Sequence, residues 1–269
     1  MGEKNLLKQD SSIEEKELKP ISGWIALFIG ILFILSPVFG FINLVNTEND
    51  IFLIVTIILF IVAIFIFCGL KIVNPNESIV FVLFGKYYGT IKKPGFFFVN
   101  PFVSAINPTY ESQVTKLSKV GDKDSEQETT TSNTKKISLK AMTLNNQKQK
   151  VNDELGNPII IGTIVIWRVI NPTKAVFNVE NYKTFLSIQC DSTIRNVARL
   201  YPYDSEDTED YSEKSLRGSS QEIADKLKEE LQKRVEIAGI EVEEVRITHL
   251  SYAPEIAAAM LQRQQAEAI

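Results

Sequence analysis

The sequence predicts an α+β protein that begins with a transmembrane helical hairpin and ends in the start of a long helix. Two uncharged apolar runs, Ile25–Val45 and Ile51–Leu70, are separated by only five residues and indicate the hairpin. About 20 helical residues span roughly 30 Å, the thickness of a bilayer core. A strand-like run, Ile159–Val169, and a helix with one apolar face, Ser219–Ala238, indicate the α+β part that follows.

The alternative for the two apolar runs is a buried helical pair in a soluble core. Core helices usually keep a polar stripe and are shorter, and neither run contains a charged residue. We therefore place two transmembrane helices at about 25–45 and 51–70, within residues 24–71. Trp24 fits the aromatic residue that often marks a membrane interface. Residues 1–23 form a charged arm that is disordered or lies on a surface.

Lysine placement predicts the orientation of the hairpin. Four lysines precede Trp24 and four lie between residues 71 and 93, whereas the loop over residues 46–50 has none. The positive-inside rule then places both termini and the soluble domain in the cytoplasm of an integral membrane protein. The net charge of −4 argues against a nucleic-acid partner. Two cysteines imply no disulfide framework, although the juxtamembrane Cys68 is a candidate for lipidation.

An aromatic run lies soon after the second apolar run. Phe96, Phe97 and Phe98 follow a Pro-Gly turn and stand near Lys92 and Lys93. One interpretation is a core strand, because such runs are often buried. The other is a membrane-interface patch, in which the phenylalanines enter the headgroup layer and the lysines meet anionic lipid.

The remaining segments alternate between strand, helix and loop patterns. Residues 118–136 are poor in apolar side chains and predict a disordered insertion. Ile159–Val169 is apolar on both faces, which predicts a central strand. The helix-terminus signals and a bulge are predicted at these places: Asn171 as N-cap before Pro172, Ser219 and Glu222 as a capping box, Gly239 as a helix stop, and Glu243-Glu244 as a bulge in the strand Ile240–Leu250.

The last segment, residues 252–269, predicts the start of a long, coiled-coil-like helix that opens at Pro254. It is rich in Ala, Gln and Glu and has no C-cap, so we expect more helix to follow it. Ile256, Met260 and Leu261 form a narrow apolar stripe with small alanines around it. Such a stripe favours contact with a neighbouring subunit, so these residues are the predicted oligomerisation site.

Signals for chemistry are weak. His249 is the one histidine in the sequence, which excludes multi-histidine metal sites, and its neighbour Ser251 does not define a triad. The sequence has no phosphate-binding glycine loop and no metal-spaced Cys/His cluster, so we predict a non-enzyme without cofactor or metal. The acidic loop Asp204–Asp210 lacks the EF-hand pattern and predicts solvated surface. Arg168 is interpreted either as an edge residue or as the partner of a carboxylate across a subunit contact.

Several spaced blocks together resemble the SPFH, or band 7, family, which includes stomatin, prohibitin and flotillin. The resemblance covers roughly Ile72 to Ile269. The blocks that carry it are Lys93–Phe102, Ile164–Ala175, Val179–Tyr182, Arg195-Asn196, Gly239–Val242, Ala253–Ile256 and Arg263–Ala268.

The resemblance implies an α+β domain of two lobes, residues 72–117 and 137–251, that lies on the membrane and continues into a long helix. Family members assemble into large rings or cages, and several are bound to membrane proteases. We therefore predict a non-catalytic, membrane-anchored scaffold, with the bilayer and a homo-oligomeric ring or cage as partners. The alternative is a regulatory partner of a membrane-bound protease. The full hairpin departs from the single anchor of many members.

Overall fold

A computed structural model describes residues 13–47, 50–109, 135–204 and 215–267. Within these ranges, the side chains of residues 39, 41, 43–53, 260–261 and 263–267 are not part of the description. The chain divides into two compact units, an N-terminal unit over Glu14–Leu139 and a C-terminal unit that contains Lys140–Ile269. Most of the predicted insertion, and all of the acidic loop except Asp204, lie outside the described residues.

The two apolar runs form two helices that pack against each other, α1 (Gly23–Thr47) and α2 (Asp50–Cys68). Gly30 and Gly40 permit the close approach, because a Cβ at Gly30 would lie 2.8 Å from the Phe67 ring and one at Gly40 would overlap Thr56. Among the residues that the structure describes, no helix is both long and apolar enough to cross a membrane. The two apolar runs form a pair of packed helices, and the transmembrane hairpin stays a prediction.

Short strands make up the rest of the N-terminal unit. They are β1 (Ile21–Ser22), β2 (Leu70–Val73), β3 (Glu77–Leu83), β4 (Lys86–Ile91), β5 (Gly95–Phe98), β6 (Ser104–Ala105) and β7 (Ile137–Ser138). Strand β5 lies between β1 and β2, and β3 pairs with β4, β6 and β7. Because β7 pairs with β3, residues 137–139 belong to this unit. Buried apolar side chains of Val73, Ile79, Phe81, Ile91, Val99 and Val103 form its core.

The described part of the N-terminal arm runs along β4. The Leu18 amide donates to the Thr90 carbonyl at 2.9 Å, and the Thr90 amide donates to the Lys16 carbonyl at 2.9 Å. Gly89 allows this approach, since a Cβ there would lie 2.5 Å from Leu18 Cγ. The arm thereby covers an edge that would otherwise present unpaired backbone groups.

In the C-terminal unit, a three-stranded antiparallel sheet packs against helices. Its strands are β8 (Met142–Asn152), β9 (Pro158–Val169) and β10 (Ile240–Tyr252), and its helices are α3 (Pro172–Phe177), α4 (Tyr182–Ala198), α5 (Ser220–Val235), a 3₁₀ turn (Glu236–Ala238) and α6 (Pro254–Glu267). Strand β9 lies between β8 and β10, so the predicted central strand is confirmed. Its alternate residues from Ile159 to Val169 are buried, because α4 and α5 cover the sheet.

Most predicted turn and cap signals are confirmed. Asn171 Oδ1 accepts a hydrogen bond from the Lys174 amide at 2.9 Å, and Pro172 begins α3. Gly239 has a φ of 64°, and the ladder between β9 and β10 shifts register between Val242 and Glu244, as the predicted bulge requires.

The predicted capping box at Ser219 is wrong. Ser219 precedes α5, but its side chain makes no capping hydrogen bond, and its ψ of 34° departs from the extended conformation that a capping box needs. Ser215 organises this turn instead. Its Oγ accepts from the Gly218 amide at 3.0 Å, and its carbonyl accepts from the Ser219 amide at 2.9 Å.

Candidate functional site

The aromatic run forms β5, at the base of the helical hairpin. Phe98 pairs with Ile21 of β1 on one side and with Leu70 of β2 on the other. Strand β1 leads directly into α1, and β2 follows α2 after a single residue, Gly69. The Val99 amide donates to the Gly69 carbonyl at 2.9 Å. Both helices therefore emerge from the sheet that contains the phenylalanines.

Each phenylalanine of the run is half-buried and has a different neighbour. Phe96 meets Trp24 edge to face, with ring centroids 5.5 Å apart. Phe97 packs against the core of the N-terminal unit, and Phe98 lies against Gly69. The run is thus a paired strand, as the first interpretation expects. Its contact with lipid stays a prediction.

Lys92, Lys93 and Trp24, which were predicted to lie at the membrane interface with the phenylalanines, differ in exposure. The Lys92 ammonium lies 2.7 Å from a Glu15 carboxylate oxygen, and the two side chains are 31% and 19% exposed. Lys93 is exposed, and Trp24 is 70% exposed. Of the two lysines that were predicted to meet anionic lipid, Lys92 forms an ion pair with the N-terminal arm, whereas Lys93 faces solvent.

Sequence reasoning missed an exposed aromatic cluster at the foot of α2. Phe84 is 85% exposed and Phe102 is 59% exposed, with their rings stacked at a centroid distance of 6.4 Å. The Phe65 ring of α2 lies 5.9 Å from that of Phe102. These three rings form what we call the aromatic patch. A bulky residue in a two-residue hairpin turn, where Asn or Gly is usual, is the sequence signal that could have identified Phe84.

The backbone at Phe84 departs from the usual conformation of a bulky residue. Phe84 has a φ of 46° and Gly85 a φ of 82°, between paired Leu83 and Lys86. Positive φ is costly for an aromatic residue, of order 1 kcal/mol or more. The turn therefore holds an exposed ring at a position where a smaller residue would be less strained.

The first predicted role of Arg168, an edge position, is wrong, and the second, a contact between subunits, stays a prediction. Arg168 lies on the central strand β9, not on an edge, and its carboxylate partners belong to β10 of the same chain. Arg168 Nη2 lies 2.6 Å from Glu241 Oε2, and Nε lies 3.3 Å from Glu243 Oε1. The hydrogen bond to Glu241 raises the pKa of Arg168. The bulge brings Glu243 within reach, which sequence spacing alone does not show.

The C-terminal unit holds a buried polar cluster around Cys190. Its thiol lies 3.4 Å from Asn146 Nδ2 and 3.7 Å from Thr163 Oγ1, and burial raises its pKa to about 11. Asn146 also donates to Asp191 at 2.6 Å, and Gln149 donates to the same oxygen. The register of β8 against β9 shifts between Asn146 and Gln149, so the cluster satisfies polar groups at an irregular ladder.

The other candidate groups have local partners. His249 Nε2 lies 3.1 Å from Ser251 Oγ, two residues along β10. Within the described ranges, no group of three or more His, Cys, Asp or Glu is arranged to hold a metal ion.

The predicted oligomerisation stripe lies on α6. Ile256 is half-buried, and its amide donates to the carbonyl of the buried Ala253 at 3.1 Å. Lys150 and Glu255 form an exposed ion pair at 2.5 Å near the start of the helix. The side chains of Met260 and Leu261 lie outside the described part of the chain. The role of the stripe in assembly stays a prediction.

Comparison with known proteins tests the family resemblance. The family model for the SPFH domain / Band 7 family matches residues 71–269. A stomatin homolog from Pyrococcus abyssi is 28% identical over 146 residues, which cover 54% of this chain and 44% of that relative. SPFH and stomatin-like proteins are generally non-catalytic scaffolds. The resemblance inferred from the sequence is confirmed, and the chain belongs to the SPFH domain / Band 7 family.

Proposed function

We propose that this protein is a membrane-anchored, oligomeric, non-catalytic scaffold that organises a membrane microdomain or a membrane-protein assembly. The observation that carries the proposal is the arrangement of large and small side chains on the helical hairpin. Small residues lie between the helices, where Ala26, Gly30, Gly40, Thr56 and Ala63 are buried. This is the packing that helices adopt in lipid, where small residues allow close contact.

The outer surface of the same helices is apolar. Exposed side chains include Ile25, Phe28, Ile29, Ile31, Leu32, Ile34 and Leu35 on α1, and Ile54, Val55, Ile57, Ile58, Phe60, Ile61, Val62 and Ile64 on α2. A soluble hairpin would bury such residues and expose polar ones. An apolar surface this extensive is unfavourable in water and favourable in hydrocarbon.

The base of the hairpin supports a position at the bilayer interface for the N-terminal unit. Trp24 is the second residue of α1. The aromatic patch of Phe65, Phe84 and Phe102 has one ring on α2 and two rings outside the helices. Trp is favoured at the level of the headgroups, because its ring is apolar and its N–H can meet water. Exposed Phe rings are wholly apolar and are favoured just below, at the boundary between headgroups and acyl chains. We place the aromatic patch in this layer together with Phe96, Phe97, Phe98 and Lys93.

Assembly is assigned to α6. Ala257 and Ala259 are exposed and flank Ile256 on the helix surface, so a neighbouring helix can approach the backbone closely there. A thin apolar stripe stabilises one contact weakly, but a closed ring repeats that contact at every subunit. Family membership is consistent with such a scaffold.

Cysteine labelling tests the membrane anchor and its orientation. In a chain with Cys68→Ser and Cys190→Ser, a cysteine at Asn49 should react with an impermeant thiol reagent added outside intact cells. A cysteine at Ser125 should react only after lysis. Recovery of the protein in the soluble fraction, or the reverse labelling, would contradict the proposal.

Particle size tests the assembly. Met260→Lys with Leu261→Lys places charge in the predicted stripe, so particles in detergent should become much smaller by mass photometry. Ala258→Lys with Gln262→Lys is the matched control, since it adds the same charge at two exposed positions on another side of α6. If particles of the Met260→Lys, Leu261→Lys variant stay as large as those of the control and of the unmodified chain, α6 does not form the assembly contact.

A further inference from the structure

A cavity of about 420 Å³ lies within the N-terminal unit. One wall is the arm, residues 18–21, and the other is residues 98–101 at the end of β5, with Tyr88 of β4 between them. Typical ligand-binding pockets have volumes of about 300–1,000 Å³. The cavity is therefore large enough for part of an organic ligand, and the docked arm is needed to form it.

The cavity is lined by apolar surface and by hydrogen-bond donors, without a carboxylate. Leu18, Ile21 and Phe98 supply apolar surface. The polar side chains are those of Lys19, Tyr88 and Asn100, each of which can donate a hydrogen bond, and none of the residues that line the cavity is acidic. Donors without a carboxylate favour an anionic group, and the apolar wall favours a ligand that is also partly apolar.

The cavity adjoins the base of the hairpin. Phe98, in its wall, pairs with Leu70 directly after α2, and the neighbouring Val99 amide bonds to the Gly69 carbonyl at 2.9 Å. Ile21, in the opposite wall, lies two residues before α1. If α1 and α2 cross a bilayer, this cavity lies at the depth of the headgroups, where anionic phospholipids present their phosphates.

We propose that the cavity binds the headgroup end of one anionic phospholipid, whose phosphate meets Lys19 and Tyr88 and whose glycerol region meets Leu18, Ile21 and Phe98. The acyl chains remain in the surrounding leaflet. This inference rests on the proposed membrane anchor, since the bilayer supplies the ligand.

Lipid binding would also hold the arm in place. The arm forms one wall and is attached to β4 by the Leu18–Thr90 and Thr90–Lys16 hydrogen bonds. A ligand that binds only the docked arm stabilises that state by mass action. Amide exchange at Leu18 and Thr90 should therefore be slower in anionic than in zwitterionic bilayers.

Two measurements on the full chain test the inference. The protein is inserted into nanodiscs of phosphatidylglycerol and phosphatidylcholine, and flotation establishes insertion. Native mass spectrometry after detergent release then counts retained phosphatidylglycerol, and hydrogen exchange follows Leu18 and Thr90. Lys19→Gln should lower retention about tenfold, the expected effect of losing one hydrogen bond to a charged group. Tyr88→Phe should lower it less.

Lys16→Gln is the matched control, because Lys16 lies on the same arm, is exposed and does not line the cavity. Its retention should equal that of the unmodified chain. The inference is overturned if the inserted protein retains no phosphatidylglycerol, or if Lys19→Gln and Lys16→Gln behave alike. It is also overturned if inorganic phosphate alone, in phosphatidylcholine nanodiscs, slows exchange equally. Failure to float would instead overturn the membrane anchor, and the lipid site with it.

Discussion

The exposed ring of Phe84 stacks on that of Phe102, and the Phe84 backbone has a positive φ of 46°. Asn is better suited than Phe to the first position of a two-residue turn with positive φ. We expect Phe84→Asn to raise the free energy of unfolding in detergent by about 1 kcal/mol, since it relieves backbone strain. Chemical denaturation measures this change. A loss of stability would mean that the ring stabilises the unit more than the turn strains it.

The same ring should contact lipid. With Trp24 and Trp167 replaced by Phe, tryptophan at Phe84 should be quenched strongly by lipids brominated near the headgroup. Tryptophan at Pro75 is the control, because Pro75 lies beyond the other end of β3, about 23 Å away at the usual rise of a strand. Equal quenching at the two positions would contradict an interfacial aromatic patch.

The ion pair between Lys92 and Glu15 should hold the arm on β4. We expect Glu15→Gln and Lys92→Met to speed amide exchange at Leu18 about fivefold, which corresponds to a coupling of about 1 kcal/mol for a partly exposed pair. In a double-mutant cycle, the second substitution should add little to the first. Additive effects would show that the two side chains act independently.

Arg168 should contribute little to assembly. Its partners Glu241 and Glu243 lie on the same sheet, and all three side chains are at least one-third exposed. Arg168→Ala should therefore leave particle size in detergent unchanged, because an exposed ion pair is screened by water and stabilises the fold only weakly. Smaller particles by mass photometry would support the interpretation of a contact between subunits.

The Cys190 thiol should be inert in the folded protein. Because burial raises its pKa from an ordinary 9.0 to about 11, only about one molecule in a thousand carries the thiolate at pH 8, against about one in ten for an ordinary cysteine. In a Cys68→Ser background, maleimide should modify Cys190 only after unfolding. Ser220→Cys, at an exposed position on α5, should react rapidly. Rapid labelling of native Cys190 would show that the cluster opens.

The same burial predicts a loss of stability in alkali. The folded pKa of Cys190 lies above its ordinary value of 9.0, so the folded state retains the proton longer than the unfolded state. Its contribution is complete below pH 9 and falls as the pH rises to about 11. Burial also raises the pKa of Tyr182 to about 12, which extends the fall. Cys190→Ala should flatten the stability profile between pH 9 and 11.

The insertion should be dispensable for folding. Residues 121–134, within the predicted insertion, lie outside the described residues. The chain after them is fixed to the N-terminal unit, because Asn107 Nδ2 donates to the Lys136 carbonyl at 3.1 Å and Ile137 is fully buried. Replacing them with a short Gly/Ser linker should change stability by less than about 1 kcal/mol, because loop closure depends weakly on length. Ile137→Ala should cost about 2–5 kcal/mol. A large loss with the linker would show that the segment packs.

Local patterns predicted the elements whose signals lie within one segment. Ile159–Val169 is apolar on both faces, and a strand of this kind is stable only between two others, where the structure places it. Asn171 before Pro172 and the left-handed Gly239 were equally predictable, because cap and turn chemistry depends on one or two residues. The Ser219 capping box is absent, and Ser215 in the preceding turn accepts hydrogen bonds from the Gly218 and Ser219 amides instead.

The sequence by itself determined the two apolar helices, the strands β9 and β10, the helix α5 and the family. It did so because uncharged apolar runs, periodicity and spaced motifs act over short distances along the chain. Tertiary structure alone decided that Phe84 meets Phe102, that Glu243 reaches Arg168 across a bulge, and that the charged arm lies on β4 to close a cavity. Each of these joins residues from separate segments, and only the packed backbone sets which of their side chains become neighbours.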